Sequence, residues 1–329
     1  MNPSKLIYPI ILILSFQNLS SKLSNFNINL DETTVSGISS GGYMAVQFHY
    51  SFSKHIKGAS IFAAGPYFCA GGNASIALTS CMSTPLTISV PLLKLAAETH
   101  SKLGYIDNLE NLINSRIYLY SGISDTVVKQ DVVKKSQEMY REFGANVKTQ
   151  YSINSEHCYP TNSKGHTCLN LGYPYINNCN YDGAFESMNF LLGGGIKNDK
   201  LSKVENLFEF DQTYYASFGS GLNSIAYIYI PDSCRKGEKC KLHVAFHGCK
   251  QTLEHIGKEF IELTGLNDIA ESNDIIILYP QIQKSIVNPE GCWDWWGYTT
   301  GPIPVPTYST KLGVQNASVW KMVKDLVGI

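Results

Sequence analysis

The sequence is short of charge and of long apolar segments, and both shortages argue against particular kinds of protein. Charged residues make up 16% of the 329 residues, and 26 Lys and Arg are balanced by 27 Asp and Glu. Nucleic-acid binding requires a basic surface, so this balance predicts no nucleic-acid partner. The apolar run at residues 6–16 is too short for a bilayer, which takes about 20 apolar residues, so we expect no stable membrane insertion.

Metal-binding spacings are also absent from the sequence. It contains no Cys-x-x-Cys pair and no His-rich cluster, so we expect no metal site. The nine cysteines instead favour a disulfide-bonded protein from an oxidising compartment, secreted or otherwise extracytoplasmic. An odd number leaves at least one thiol unpaired or paired outside the chain. Several cysteines are close in loop-like sequence: Cys69 and Cys81; Cys158, Cys168 and Cys179; Cys234 and Cys240.

The N-terminus has the pattern of an export signal. Lys5 precedes the apolar run, and polar and small residues follow it up to Ser21. This order predicts a signal peptide at residues 1–21 and a single mature domain at residues 22–329. A membrane anchor or an ordinary N-terminal core helix remains the alternative.

Strand-like and helix-like patterns alternate along the rest of the chain. This alternation predicts an α/β protein with a mostly parallel sheet and helices on both faces. Residues 193–203 are the best candidate for an internal joint, although the strands on either side can belong to one sheet. The predicted strands are 33–36, 59–64, 116–121, 147–153, 225–230, 242–246 and 275–279, and the predicted helices are 42–53, 127–143, 256–271 and 314–327.

A nucleophile motif lies between the first predicted strand and the first helix. Residues 37–41 read Gly-Ile-Ser-Ser-Gly and match Gly-x-Ser-x-Gly. A serine on this tight turn projects its hydroxyl above the sheet, and the next backbone N–H faces the oxyanion that forms in the reaction. We expect Ser39 to be the nucleophile, since Ser39 is the residue at the centre of the motif, between the two glycines.

Partners for this serine follow two later strands. Asp125 comes after the strand at 116–121, and His157 comes after the strand at 147–153. The order Ser, Asp, His is that of α/β-hydrolases, and it predicts a triad of Ser39, Asp125 and His157. The alternatives are an Asp that caps the next helix and a loop His without a role.

The second oxyanion donor is missing from its usual place. A His-Gly segment normally precedes the nucleophile, whereas here His247 and Gly248 follow a strand far downstream. The order therefore predicts a circularly permuted α/β-hydrolase, in which Ser40 and Cys249 supply the two N–H groups. A buried His beside a tight turn is the alternative interpretation of His247.

These segments together resemble the polyhydroxybutyrate depolymerases whose oxyanion segment follows the nucleophile motif. Five stretches carry the resemblance in the family's order: residues 35–44, 122–127, 157–161, 247–251 and 288–296. The resemblance implies an exported serine esterase without metal or organic cofactor, which cleaves 3-hydroxyacid polyesters. By residue match it implies Ser39, Asp125 and His157 as the triad, with Ser40 and Cys249 as the oxyanion donors.

The aromatic segment near the C-terminus is a candidate substrate surface. Trp293, Trp295, Trp296 and Tyr298 would hold an apolar polyester chain, or else belong to the core. A disulfide between Cys249 and Cys292 would join this segment to the oxyanion strand.

We expect no linker and no separate polymer-binding domain after the last predicted helix, although extracellular members of the family that attack crystalline polymer often carry both. In that case either the catalytic domain binds polymer itself, or the substrate is a soluble oligomer or another compound. We expect a polyester or a small ester as substrate, and a monomeric protein. A carbohydrate acetyl or feruloyl esterase on the same scaffold is the alternative enzyme. A secreted binding protein with a hydrolase fold and no catalysis is the alternative outside enzymes.

Overall fold

The computed structural model describes residues 22–300 and 307–329. The predicted signal peptide at residues 1–21 lies outside these described residues. Within them, no helix combines the length and the apolar character needed to cross a membrane.

The described chain is built around a large sheet of eight strands and a small sheet of three. The strands are β1 (Thr33–Ile38), β2 (Ile56–Phe62), β3 (Arg116–Tyr120), β4 (Asn146–Gln150), β5 (Tyr159–Thr161), β6 (His166–Thr167), β7 (Ile176–Asn178), β8 (Leu207–Asp211), β9 (Ile225–Tyr229), β10 (Lys241–Phe246) and β11 (Ile275–Tyr279). The large sheet has the order β4-β3-β2-β1-β10-β11-β9-β8, and β5, β7 and β6 form the small sheet. Only the two pairings of β9, with β11 and with β8, are antiparallel, so β9 alone runs opposite to the other strands of the large sheet. The predicted α/β fold with a mostly parallel sheet is confirmed.

The sheet order also has the permuted connectivity that the sequence predicts. The first strand, β1, lies at the centre and pairs with β10, so the two halves of the chain meet there. The strands of the large sheet can be renumbered from 1 to 8 by starting at β8, running to β11 and then continuing with β1 to β4. Their order across the sheet is then 1-2-4-3-5-6-7-8, and Ser39 follows the fifth strand. The backbone N–H of Phe26 donates to the carbonyl of Leu326 at 2.8 Å, which brings both ends of the described chain together.

The helices cover both faces of the large sheet. They are α1 (Ser40–Ser51), α2 (Ala74–Leu78), α3 (Val90–Lys102), α4 (Gln130–Glu142), α5 (Gly183–Leu191), α6 (Asp232–Arg235), α7 (Leu253–Ile256), α8 (Glu259–Leu263), α9 (Leu266–Asn273) and α10 (Val314–Val327). Side chains of β11 alternate between two cores: Ile276 and Leu278 pack in the core that includes α1, α4 and α10, whereas Ile277 and Tyr279 pack with α5, α8 and α9. A strand buried on both faces is therefore apolar throughout rather than alternating.

One sequence prediction about local structure needs correction, and one open alternative is decided. The helix predicted at 256–271 is broken into α7, α8 and α9, because Gly257 and Gly265 adopt positive φ angles that end and restart the helix. The joint considered at 193–203 does not divide the sheet, since strands from both sides of it join one sheet. The sequence predictions also omitted α3, α5 and β8.

Candidate active site

Ser39 lies on a strained turn between β1 and α1. Its backbone has φ 56° and ψ −124°, a region that residues with a side chain rarely adopt, and its N–H donates to the carbonyl of Phe62 at 2.9 Å. The flanking glycines are required because a side chain would collide with the backbone. A Cβ on Gly37 would lie 2.1 Å from the carbonyl oxygen of Gly41, and a Cβ on Gly41 would lie 2.2 Å from the carbonyl oxygen of Phe246. The motif therefore has the geometry of a nucleophile elbow.

Asp125 and His157 meet at the same end of the sheet. They follow β3 and β4, are almost fully buried, and are joined by a 2.9 Å hydrogen bond between Asp125 Oδ2 and His157 Nδ1. Because a carboxylate accepts, Nδ1 carries the proton and Nε2 is left as the acceptor. The other oxygen, Oδ1, accepts the backbone N–H groups of Val127 and Val128 at 2.9 and 2.8 Å. One oxygen of Asp125 therefore orients the imidazole and the other orders the turn before α4. Asp125 does not cap that helix, which begins at Gln130.

The turn after β10 lies against the elbow. A Cβ on Gly248 would be 3.3 Å from Ser39 Cβ, so this turn is directly beside the nucleophile. Ser40 opens α1, where backbone N–H groups are left without helical partners. The expected disulfide between Cys249 and Cys292 is present. Both sequence-predicted oxyanion residues therefore lie next to Ser39.

A pocket of about 480 Å³ opens over Ser39 and His157. Its wall is mostly apolar, and the charged pair within it, Lys250 and Glu290, is mutually engaged with an N···O distance of 3.5 Å. Among the described residues, no group of three or more His, Cys, Asp or Glu side chains is arranged to hold a metal ion. The lining residues outside the triad and the oxyanion turn include Tyr43, Leu78, Met82, Val127, Val128, Leu171, Tyr175, Gln251, Val287, Trp295 and Trp296.

Comparison with known proteins finds relatives of one kind. The poly(3-hydroxybutyrate) depolymerase of Delftia acidovorans is 38% identical over 307 residues, which cover 92% of this chain and 60% of the relative. The polyhydroxybutyrate depolymerase of Talaromyces funiculosus is 33% identical over 335 residues, which cover 94% of both chains. The chain belongs to the polyhydroxybutyrate depolymerase family. This is a family of serine ester hydrolases, although no protein-family model matches the chain.

Solved structures agree with this family assignment. A PHB depolymerase from Penicillium funiculosum superposes with a TM-score of 0.83 at 31% identity. A PHB depolymerase (S39A) complexed with an R3HB trimer superposes with a TM-score of 0.85 at 32% identity. Each comparison covers 93% of this chain and 99% of the solved chain.

The aromatic segment of this family member divides between pocket and core. Trp295 and Trp296 line the pocket, and Trp295 stacks on Tyr43 with ring centroids 4.4 Å apart. Trp293 does not line it: its side chain is fully buried and packs edge-on against Phe246. The expectation of substrate contact is therefore wrong for Trp293, because its position directs it into the core.

Tyr298 is also placed away from the pocket wall. Its hydroxyl donates to the carbonyl of Cys292 at 2.8 Å, and its ring packs against Trp296 with centroids 4.9 Å apart. Tyr298 therefore packs within the aromatic loop rather than in the pocket wall, and its contact with substrate stays a prediction.

A buried carboxylate fixes the shape of this loop. Asp294 accepts the backbone N–H groups of Trp296, Gly297, Tyr298 and Thr299 and the hydroxyl of Thr299. Burial raises the pKa of the Asp294 carboxyl, and these hydrogen bonds oppose that rise. The turn holds Trp295 and Trp296 at the pocket.

Three site residues were missed by sequence reasoning. Glu156 accepts hydrogen bonds from Thr126 and from the backbone of His157, Gln251 accepts from the N–H of Gly248, and Tyr175 lines the pocket. Gln251 lies within a stretch that resembles the family, and Glu156 directly precedes another. This proximity was the sequence signal that could have identified them. Their roles depend on contacts with other segments, which no local pattern reveals.

Proposed function

We propose that this protein is a secreted hydrolase of poly(3-hydroxybutyrate) or its oligomers, acting through an acyl-enzyme intermediate. The observation that carries the proposal is the apolar pocket with Ser39 and a carboxylate-oriented His157 in its wall. Family membership supplies the substrate class, since the relatives are named as depolymerases of this polyester. The chain spans 60% of the Delftia acidovorans relative, so the substrate is proposed from chemistry as well as from likeness.

Ser39, Asp125 and His157 would carry out the reaction in two steps. His157 Nε2 takes the hydroxyl proton as Ser39 Oγ attacks the ester carbonyl, and Asp125 stabilises the resulting imidazolium. The backbone N–H groups of Ser40 and Cys249 stabilise the tetrahedral oxyanion. The alcohol leaves with the proton from His157, which then activates a water molecule to hydrolyse the acyl-serine and release the acid.

The pocket wall favours a polyester over a carbohydrate ester. Leu78, Leu171 and Val287 line the pocket and keep about half or more of their surface exposed. Apolar groups around the mouth gain free energy by burial against a hydrophobic polyester chain. A sugar would instead require many hydroxyl partners, and the charged pair in this wall is already mutually engaged.

Export, domain organisation and assembly belong to the same proposal. We propose that residues 1–21 are a signal peptide and that residues 22–329 form one catalytic domain that acts as a monomer. Four disulfides support an oxidising location. N-terminal sequencing of the protein from culture medium and light scattering of the purified enzyme test these points.

The decisive experiment incubates wild type, Ser39→Ala and Ser202→Ala with amorphous poly(3-hydroxybutyrate). Soluble 3-hydroxybutyrate and its oligomers are measured by chromatography. Ser202 is an exposed serine outside the site, so Ser202→Ala is the matched control. We expect release by wild type and the control, and none by Ser39→Ala.

Each other outcome rejects a defined part of the proposal. Activity of Ser39→Ala at the wild-type level would refute the nucleophile. Hydrolysis of p-nitrophenyl butyrate without release from the polymer would refute the polyester substrate and keep the triad. Inactivity of folded wild type on both would favour a binding protein.

A further inference from the structure

His247, at the end of β10, makes a defined pair of hydrogen bonds. Its Nδ1 lies 2.8 Å from the carbonyl oxygen of Gly248, and the backbone N–H of Ile282 donates to its Nε2 at 3.2 Å. A carbonyl can only accept and a backbone N–H can only donate, so the proton resides on Nδ1 and the ring is neutral. Burial lowers the pKa of His247 to about 4, which agrees with a neutral ring.

The first of these bonds acts on the peptide that contains the second oxyanion donor. The carbonyl of Gly248 and the N–H of Cys249 belong to one peptide unit, and in a trans peptide these groups point in opposite directions. A bond that fixes the oxygen towards His247 therefore fixes the N–H away from it. Gly248 and Cys249 both line the pocket beside Ser39.

The neighbouring parts of the turn are held by other groups. Gly248 N–H donates to Gln251 Oε1 at 2.7 Å, and Lys250 N–H donates to the Glu290 carbonyl at 2.7 Å. The side chain of Cys249 is anchored through the disulfide to Cys292. These restraints fix the path of the turn, while His247 holds the oxygen of the peptide between residues 248 and 249.

We propose that His247 is a positioning residue of the oxyanion hole, which orients the Cys249 N–H through its hydrogen bond to the Gly248 carbonyl. The inference rests on the proposed function, in which that N–H stabilises the tetrahedral oxyanion. A preorganised donor contributes to the transition state because it needs no reorientation during the reaction. His247 contacts no reacting atom, so its effect is carried by Cys249.

A purely structural role makes a different prediction. The His247 ring also packs near Trp293 and Phe260, with centroid distances of 5.7 and 6.3 Å. Its Nε2 accepts the buried backbone N–H of Ile282. If packing and satisfaction of Ile282 were the whole role, loss of Nδ1 would have no specific effect on turnover.

Two substitutions separate the two ring nitrogens. In His247→Asn the side-chain amide nitrogen takes the position of Nδ1, so the bond to Gly248 is kept and that to Ile282 is lost. In His247→Gln the side-chain oxygen takes the position of Nε2, so the bond to Ile282 is kept and that to Gly248 is lost. The measurements are kcat and KM on p-nitrophenyl butyrate, with Tm and circular dichroism to establish folding.

We expect His247→Asn to keep kcat within about threefold of wild type and His247→Gln to lose at least about tenfold at unchanged KM. The larger loss is bounded by the roughly 100- to 1000-fold effect of removing an oxyanion donor entirely. His247→Phe, which keeps the bulk and removes both bonds, should lose kcat as His247→Gln does.

Equal kcat values for folded His247→Asn and His247→Gln would overturn the inference. If His247→Gln does not fold, His247→Phe replaces it as the variant without the Gly248 bond. A kcat at least about tenfold below that of His247→Asn then supports the inference, and equal kcat values overturn it. Failure of the proposed function is distinguishable, because wild type would then be inactive or Ser39→Ala would be active.

Discussion

Glu156 and Thr126 are joined by two hydrogen bonds that connect the acid loop to the base loop. The backbone N–H of Thr126 donates to Glu156 Oε2 at 3.1 Å, and its hydroxyl donates to Oε1 at 2.6 Å. The same carboxylate accepts the backbone N–H of His157 at 2.7 Å. Since Thr126 follows Asp125 and Glu156 precedes His157, this carboxylate holds the two loops in register.

Weakening this connection should lower turnover more than binding. We expect Glu156→Gln to reduce kcat about tenfold and Thr126→Val about threefold, with KM little changed, because the Asp125–His157 pair loses alignment. Steady-state kinetics on p-nitrophenyl butyrate measure both values. Glu138→Gln, which alters an exposed carboxylate on α4, is the control and should keep wild-type kcat. An unchanged kcat in folded Glu156→Gln would contradict this role.

The division of the tryptophans between pocket and core should separate binding from stability. Trp296→Ala should raise KM about tenfold with little change in Tm, because it removes apolar area from the pocket wall. Trp293→Ala should lower the free energy of unfolding by about 3–5 kcal/mol, since it leaves a cavity in the core. Kinetics and denaturant unfolding measure the two effects. Trp320→Ala on α10, outside the pocket wall, should leave KM unchanged, and a matching rise there would refute the assignment.

The disulfide at the oxyanion turn should matter for both stability and rate. Cys249 and Cys292 are separated by 43 residues, for which the chain-entropy model gives about 4 kcal/mol of stabilisation. Cys234 and Cys240 are separated by six residues, for which the same model gives about 2 kcal/mol. Double serine variants of each pair test this by denaturant unfolding.

Turnover of the two double variants provides the second comparison. Cys249→Ser with Cys292→Ser keeps the donor N–H but loosens the turn, so kcat should fall. Cys234→Ser with Cys240→Ser should leave kcat unchanged, because that loop is remote from the pocket. A kcat at the wild-type level in both double variants would show that the turn keeps its geometry without the Cys249–Cys292 disulfide.

Buried histidines should make the fold sensitive to acid. Burial lowers the pKa of His49 on α1 to about 3, whereas a histidine in the unfolded chain has a pKa of about 6.5. Between these values the unfolded state binds more protons, so stability is present above about pH 6.5 and is lost as the pH falls. His49→Phe removes this contribution, and it should lose about 2 kcal/mol less than wild type between pH 7.5 and 5.

Denaturant unfolding at the two pH values measures this difference. His243 and His247, which are also buried, titrate in both proteins and therefore cancel in the comparison. Equal losses of unfolding free energy in the variant and wild type would show that His49 has the same pKa in the folded and the unfolded chain.

The sequence by itself determined the sheet class, the permuted order and the positions of the candidate site residues. Runs of apolar residues predict strands, and the carboxyl ends of parallel strands share one edge, so Ser39, Asp125, His157 and Cys249 had to approach one another. The pairing of Cys249 with Cys292 was a hypothesis from the sequence, and the disulfide is present.

Only the tertiary structure decided which neighbours line the pocket and which pack behind its wall. Trp293 and Trp295 are two residues apart, yet one lies in the core and the other lines the pocket, because the five hydrogen bonds to Asp294 set the path of the loop. The proton position on His247 likewise depends on Ile282, which is distant in sequence. Local patterns report the burial of a segment, whereas these roles arise from hydrogen bonds between segments that meet only in the folded chain.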